Sequence, residues 1–205
     1  MIRVIVADDH AVVRHGLRQL LETAPDIEVV AVAADGEEAV ALVGEHLPDV
    51  VLMDLAMPVM NGIEATRRIV SGHPDVRVVI LTSFGDEARI LEALDAGARG
   101  YLLKHLEPDA LIDAVRAVDA GEAPLDPRAG RVLLDRQRAR SAVTDLSQRE
   151  REVLTLVTEG LANKQVARRL GISERTVKAH LTNVFQRIKV TDRVQAAIWA
   201  REHLR

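Results

Sequence analysis

The sequence contains no cysteine, which excludes both a disulfide framework and a thiolate metal site. Aromatic residues make up only 2% of the chain, so an aromatic-lined pocket for a small apolar ligand is not expected. No apolar run approaches the roughly 18 residues that indicate a membrane-spanning helix. The opening IRVIVA is too short for the apolar region of a secretory signal and lacks a small-residue cleavage site. These absences predict a cytoplasmic protein.

Charge is distributed unevenly along the 205 residues. Residues 1–125 hold 10 Lys and Arg against 22 Asp and Glu, whereas residues 146–205 hold 12 against 6. The first part therefore has a net charge of −12 and the last part +6, although the whole chain has a net charge of only −4. This asymmetry predicts that only the C-terminal part meets a polyanion.

The first 120 residues alternate short β-branched runs with segments of helical periodicity. Five strands alternating with five helices predict an α/β domain over residues 1–122, built on a doubly wound five-stranded parallel sheet. The predicted strands are Ile2–Ala7, Ile27–Val32, Val50–Met53, Val78–Leu81 and Gly100–Leu103.

The chain changes character after Glu122. Residues 123–145 contain two prolines, a glycine and a cluster of arginines, which predict a linker with a short helix around Arg131 to Arg138. Residues 146–205 show no strand signal, and a capping box at their start and Gly171 further on mark helix boundaries. A helix, a short turn and another helix predict a second, smaller all-α domain of the helix-turn-helix type.

Five polar side chains stand at the ends of four predicted strands. They are Asp8 and Asp9, Asp54, Thr82 and Lys104. Because the carboxyl ends of parallel strands form the functional crevice of such a sheet, we expect these side chains to meet at one rim. Neighbouring carboxylates repel one another unless a cation compensates, and all-oxygen ligands favour Mg²⁺. A carboxylate there can also attack phosphorus, with a lysine and the metal neutralising the transferred charge.

Each of these residues also has an ordinary structural interpretation when it is taken alone. Asp8 or Asp54 could cap a helix, Thr82 could be a β-branched strand residue, and Lys104 could be solvated. Their joint placement at four strand ends favours a site. The seven histidines are scattered without ligand spacing, and we interpret them as surface or capping residues.

Several motifs resemble those of a known family. In order, VADDH, LMDLAMPVMNG, LTS and YLLK resemble the receiver domain of two-component response regulators over residues 1 to about 122. The later stretch LSQREREVLTLVTEGLANKQVARRLGISERTVKAHLTNVFQRIKV is similar to the LuxR-type helix-turn-helix. Together they resemble the NarL/FixJ class, which implies a flavodoxin-like receiver and a DNA-binding transcriptional regulator that is not an enzyme. The implied partners are a sensor histidine kinase, promoter DNA and a second copy of the chain.

The resemblance implies roles around the acids. Asp54 would be the phosphoacceptor. Asp9 would bind Mg²⁺ directly and Asp8 mainly through water, with Asp54 and the backbone carbonyl of Ala56 as further ligands.

It also implies roles on the last two strands. Lys104 would pair with the phosphoryl group, Thr82 would move to hydrogen-bond it, and Tyr101 would turn inward behind it as the switch. Many receivers have proline after the lysine, but this sequence has His105. A cis bond before a non-proline residue costs about 3–4 kcal/mol, so the sequence leaves the conformation of the bond between Lys104 and His105 open.

The helix predicted from Ser173 to Ile188 has an apolar stripe and a cationic face. A charged face is often simply solvated, but the tight turn, the capping serine and the resemblance favour a recognition helix in the major groove. The residues predicted to contact DNA are Lys164, Arg175, Thr176, Lys178, Ala179 and Thr182. Because single modules bind weakly, an active homodimer is expected, and the last helix resembles the dimerisation helix of the family.

Two other functions could use parts of the same pattern. A Mg²⁺-dependent phosphohydrolase would share the nucleophile Asp54, but no residues remain for a substrate pocket or lid. Turnover of a phosphate ester would favour it. A ligand-sensing LuxR-type regulator would need an aromatic-lined pocket, and retention of a small apolar ligand would favour it.

Overall fold

The computed structural model describes residues 1–83 and 85–204, with the backbone alone for residues 139–145. The chain divides into two compact units, residues 1–133 and 134–205. Within the described part of the chain, no helix is both long enough and apolar enough to cross a membrane.

The first unit is built on five parallel strands in the order β2-β1-β3-β4-β5. Alternate residues of the strands enter two apolar clusters, one on each face of the sheet. Since both faces are covered, the strands are apolar throughout rather than alternating. The predicted doubly wound parallel sheet is confirmed. The strands are β1 Ile2–Ala7, β2 Ile27–Ala33, β3 Val50–Met53, β4 Arg77–Thr82 and β5 Gly100–Leu103.

Five helices connect or follow these strands. Residues of α2, α3 and α4 pack in the cluster on one face, and residues of α1 and α5 pack in the cluster on the other. The side chains of Asp35, Asn61 and Asp86 accept hydrogen bonds from the first turns of α2, α3 and α4, which fixes where these helices begin. The helices are α1 Ala11–Leu21, α2 Gly36–His46, α3 Gly62–Gly72, α4 Glu87–Asp95 and α5 Pro108–Asp119.

The helix after Glu122 is longer than the short helix expected around Arg131 to Arg138, and the assignment of residues 123–145 as a linker stays a prediction. Residues Pro127–Asp145 form one helix of 19 residues, α6. Proline at the first helical position loses no intrahelical bond, and the arginines that suggested a linker are good helix formers. The predicted domain bounds, residues 1–122 and 146–205, stay predictions.

The second unit contains the four predicted helices after α6. Gly171 ends α8 in the left-handed conformation, with φ of 66°. Ser173 then begins α9 by accepting a hydrogen bond from the N–H of Thr176 at 3.0 Å. The predicted apolar stripe of α9 is buried. The helices are α7 Gln148–Thr158, α8 Asn163–Leu170, α9 Glu174–Ile188 and α10 Arg193–His203.

Glu150 is a charged residue in the core of this unit, only 3% exposed. Its Oε2 accepts hydrogen bonds from the N–H of Ser147 at 2.8 Å and from Nη1 of Arg187 at 3.2 Å. Burial alone raises the pKa of Glu150, but the bonds to Ser147 and the charges of Arg187 and His180 outweigh it and lower the pKa. The ionised carboxylate therefore ties the start of α7 to α9.

We expect Glu150→Ala to lower the free energy of unfolding by about 1–3 kcal/mol at pH 7, because the N–H of Ser147 and the guanidinium of Arg187 lose their shared acceptor and the buried side chain leaves a gap. Since the folded-state pKa is lowered, this contribution is present above the unfolded-state pKa and is lost as the pH falls through the folded-state value. Urea denaturation of the full chain at neutral and acidic pH measures it. Glu152→Ala, which removes a more exposed carboxylate of the same helix, is the control. Equal losses in the two variants would contradict the role of Glu150.

Candidate functional site

The sheet brings the predicted polar residues together at the carboxyl ends of its strands. Asp8 and Asp9 follow β1, Asp54 follows β3, Thr82 ends β4 and Lys104 follows β5. The Nζ atom of Lys104 lies 2.5 Å from Oδ2 of Asp8 and 3.1 Å from Oδ2 of Asp54. Thr82 is fully buried, and its carbonyl accepts the N–H of Lys104 at 2.9 Å. The expected convergence of the strand ends is therefore present.

Two buried carboxylates share the amine of Lys104, since Asp8 is 1% exposed and Asp54 is 4% exposed. Burial lowers the pKa of Lys104, but the hydrogen bonds and charges of Asp8 and Asp54 outweigh it, and the pKa is raised. The amine is therefore protonated at neutral pH. One cation does not balance three acids, because Asp9 also lies close to Asp8.

The two oxygens of Asp54 differ in their surroundings. Oδ2 pairs with Lys104, whereas Oδ1 is buried and has no hydrogen-bond partner among the described residues. A buried carboxylate oxygen without a partner is costly, so such an atom points to a functional role. The backbone holds Asp54 in place, because its N–H donates to the carbonyl of Ala7 at 2.8 Å.

The donor set fits a hard divalent cation such as Mg²⁺. Asp8, Asp9 and His10 offer ligand atoms within 4.8 Å of one another, and Asp54 is a further carboxylate, joined to Asp8 through the shared amine of Lys104. Carboxylate oxygens suit Mg²⁺, whereas imidazole suits softer metals. The fit to Mg²⁺ therefore rests on the carboxylates and on their excess of negative charge over the single amine of Lys104. Ala56 follows in the exposed part of the loop after β3, and the role of its carbonyl stays a prediction.

The expectation that no histidine is spaced like a metal ligand is wrong for His10. Its Nδ1 lies 2.6 Å from Oδ1 of Asp9 and 3.5 Å from Oδ1 of Asp8, although the ring is largely exposed. His10 is at the N-terminal boundary of α1, but its side chain makes no capping hydrogen bond. The available signal was its position directly after the two acids in VADDH.

The loop between β3 and α3 and the first residue of α3 lie close to the phosphoacceptor candidate Asp54. A Cβ atom at Gly62 would lie 2.0 Å from the carbonyl oxygen of Asp54, so only glycine fits this position. In the same loop Val59 has φ of 61°, a rare conformation for a β-branched residue, and its side chain is 79% exposed. The backbone is thus strained beside the site.

Tyr101 lies inside the first unit, where it is 1% exposed. Burial, followed by the charge of Asp86, raises the pKa of its hydroxyl to about 12. It shares an apolar cluster with Leu103 and Ala129. A movement of Tyr101 in response to phosphorylation stays a prediction. All peptide bonds of the described residues are trans, including the bond between Lys104 and His105.

The second unit exposes a cationic face on α9. Ser173 and Thr176 form the N-terminal cap, with their hydroxyl oxygens 2.7 Å apart, so the hydroxyl of Thr176 takes part in the cap. The other residues predicted to contact DNA are exposed, one on α8 and four on α9: Lys164, Arg175, Lys178, Ala179 and Thr182. Their contact with DNA stays a prediction.

Two arginines that sequence reasoning missed anchor the ends of α8. Nη1 of Arg193 donates to Oδ1 of Asn163 at 2.9 Å, at the start of this helix. Nη2 of Arg149 donates to the carbonyl of Leu170 at its end. Neither partner could be found from the sequence, because helical spacing gives no information on bonds between helices.

Comparison with known proteins gives two family matches. Residues 4–116 match the response regulator receiver domain, and residues 144–200 match the luxR family of bacterial regulatory proteins. The transcriptional regulatory protein LiaR of Bacillus subtilis is 44% identical over 209 residues, covering 100% of this chain and 99% of LiaR. The crystal structure of ChrA, a response regulator in a heme-sensing two-component system, is 41% identical with a TM-score of 0.55, covering 98% and 96% of the two chains. A structure of two RcsB dimers bound to two parallel DNAs is 26% identical with a TM-score of 0.59, covering 98% of each chain.

Proposed function

Because the chain belongs to the response regulators that join a receiver domain to a LuxR-type helix-turn-helix domain, we propose that phosphorylation of Asp54 controls its binding to DNA. The protein is a DNA-binding transcriptional response regulator of a two-component system. Its phosphoryl donor is a sensor histidine kinase, its target is promoter DNA, and it acts in the cytoplasm without being an enzyme.

The observation that carries the proposal is the buried Oδ1 atom of Asp54, which has no hydrogen-bond partner among the described residues. In the transfer, this oxygen forms a bond to phosphorus while the bond between phosphorus and the kinase's histidine nitrogen breaks. Oδ2 stays with Lys104, whose protonated amine neutralises part of the charge that arrives with the phosphoryl group.

The neighbouring acids prepare this reaction. Asp8 holds the amine of Lys104 at 2.5 Å and so orients it towards Asp54. Asp8, Asp9, Asp54 and the carbonyl of Ala56 would hold Mg²⁺. When bound, the ion supplies positive charge that offsets both the acids and the transferred phosphoryl group. The role of the protein is then mainly to position groups and to screen their charge.

DNA binding is assigned to the exposed face of α9. This face is cationic and lies opposite the buried stripe, so α9 can enter a major groove while its apolar side stays packed. We propose that the active form is a homodimer. Exposed Val194 and Ile198 stand four residues apart on α10 and so share one face of it, and RcsB is bound to DNA as dimers.

The function is tested by sequencing the genomic fragments that the full chain retains with and without acetyl phosphate and Mg²⁺. We expect the phosphorylated chain to enrich a discrete set of promoter fragments, and the unphosphorylated chain to retain the same set more weakly. With Asp54→Ala the two conditions should give the same result. Retention of random fragments in both conditions would overturn the proposal.

Lys178→Ala should weaken binding to such a fragment by about 1–3 kcal/mol if the side chain reads a base. If it touches a phosphate instead, the dependence of affinity on salt should fall by about one unit of slope. Binding isotherms at several salt concentrations separate these cases. Arg67→Ala, which removes an exposed cation on α3 of the first unit, is the control. Unchanged affinity and slope would remove Lys178 from the interface.

A further inference from the structure

The chain that leaves α5 returns to the outer edge of the sheet. β5 is the last strand in the sheet order, and residues 124–126 lie along it. The N–H of Tyr101 donates to the carbonyl of Pro124 at 3.0 Å, and the carbonyl of Tyr101 accepts the N–H of Asp126 at 2.8 Å. The N–H and the carbonyl of Tyr101, the predicted switch residue, are therefore both hydrogen-bonded to the segment that follows α5.

Side chains of the following turns dock in the same place. Ala129 is fully buried, and the half-buried Leu125 and Val132 pack against the apolar cluster that contains Tyr101. Gly100 allows the close approach, since a Cβ atom there would lie 3.0 Å from the carbonyl oxygen of Pro124. We call residues 124–132 the strap.

The strap also reaches the loop that follows Thr82. A Cβ atom at Gly85 would lie 3.6 Å from Nη1 of Arg128, so the guanidinium lies against this loop. Oδ1 of Asp126 accepts the N–H of Arg128 at 2.8 Å, which fixes the first turn of α6 where the strap meets β5. The strap thus contacts the strand of Tyr101 and the segment next to Thr82.

We propose that the strap is the element through which the state of Asp54 is transmitted, an inference that rests on the proposed function. A shift of Thr82 towards a phosphorylated Asp54 moves the loop beneath Arg128. The strap then loses the contact between Arg128 and this loop, and its hydrogen bonds to Tyr101 open more often. Because the strap runs directly into α6, phosphorylation loosens the first turns of this helix.

The docking itself is tested on the unphosphorylated full chain by amide hydrogen exchange measured with NMR. We expect the N–H groups of Tyr101 and Asp126 to be protected. In Ala129→Glu a carboxylate enters a fully buried position, and exchange at both groups should accelerate by about tenfold or more, while β1 stays protected. Arg131→Glu, which changes an exposed residue of the same helix, should leave both rates unchanged.

Two outcomes would overturn the docking. One is unprotected N–H groups at Tyr101 and Asp126 in the unaltered chain, and the other is equal rates in Ala129→Glu and Arg131→Glu. If Ala129→Glu loses protection in β1 as well, the domain has unfolded, and the milder Leu125→Ser decides instead by the same comparison.

The coupling is tested by adding Mg²⁺ and acetyl phosphate and measuring intact mass on the same sample. With a phosphoryl adduct present, we expect exchange at Tyr101 and Asp126 to accelerate by about fivefold or more. An adduct on Asp54 with unchanged exchange overturns the strap inference but leaves the phosphoacceptor in place. Absence of any adduct refutes the proposed function, and the coupling with it, while the docking result stands.

Discussion

Asp54→Ala should reduce labelling of the chain by acetyl phosphate in Mg²⁺ to background. The reason is that no neighbouring acid can replace Asp54. Both oxygens of Asp8 are engaged, one by Lys104 at 2.5 Å and the other by the N–H of His10 at 2.9 Å. Asp9 lies at the exposed side of the cluster and pairs with His10. Only Asp54 combines burial, a neighbouring amine and an oxygen that has no hydrogen-bond partner among the described residues.

Intact-mass spectrometry measures this labelling. Asp75→Ala is the control, because Asp75 is exposed and lies before β4, at the amino ends of the strands and away from the site. The control should be labelled like the unaltered chain. Both variants should fold, since Lys104 keeps Asp8 as its partner when Asp54 is removed. A phosphoryl adduct of undiminished stoichiometry on Asp54→Ala would refute the assignment.

Gly62→Ala should lower the free energy of unfolding by about 3 kcal/mol and also slow phosphorylation, because the added Cβ overlaps the backbone of the phosphoacceptor. The new atom would lie 2.0 Å from the carbonyl oxygen of Asp54 and 2.9 Å from its carbonyl carbon. Neither atom can move away by a change of rotamer. Relief requires a shift of the loop or of α3, and the carboxylate of Asp54 moves with its backbone.

Gly72→Ala is the matched control, since Gly72 ends the same helix and a Cβ atom there meets nothing within 4 Å among the described residues. That change should stabilise the chain by up to about 1 kcal/mol through helix propensity. Urea denaturation and the initial rate of acetyl phosphate labelling are measured on both variants. If Gly62→Ala were as stable and as rapidly labelled as Gly72→Ala, the close approach would have no importance for the site.

The sheet and its rim could be predicted because they depend on local pattern and on one geometric rule. Apolar runs located the strands, and parallel strands bring their carboxyl ends together, so Asp8, Asp54 and Lys104 could be expected to meet. The unequal surroundings of the two oxygens of Asp54 could not be predicted. They depend on side-chain positions within about 1 Å, which no periodicity specifies.

The predicted length of the helix within residues 123–145 was wrong for a different reason. Proline, glycine and arginine were interpreted by composition, but Pro127 stands where a helix tolerates it, and the helix of 19 residues forms in spite of the cost of about 1 kcal/mol that Gly130 adds. The docking of Ala129 is a tertiary interaction between positions far apart in the chain. Its sequence signal is only a small apolar residue among charged neighbours.

The pairing of residues 124–126 with β5 has a consequence for the exchange of receivers between regulators, whether by recombination or by protein engineering. A junction placed directly after Glu122 would leave the N–H and carbonyl groups of Tyr101 open at a sheet edge, where another chain can add as a strand and start aggregation. A junction after Leu133 carries the edge cover along with the sheet. A receiver that is moved between regulators should therefore include the first turns of α6, although their composition resembles that of a linker.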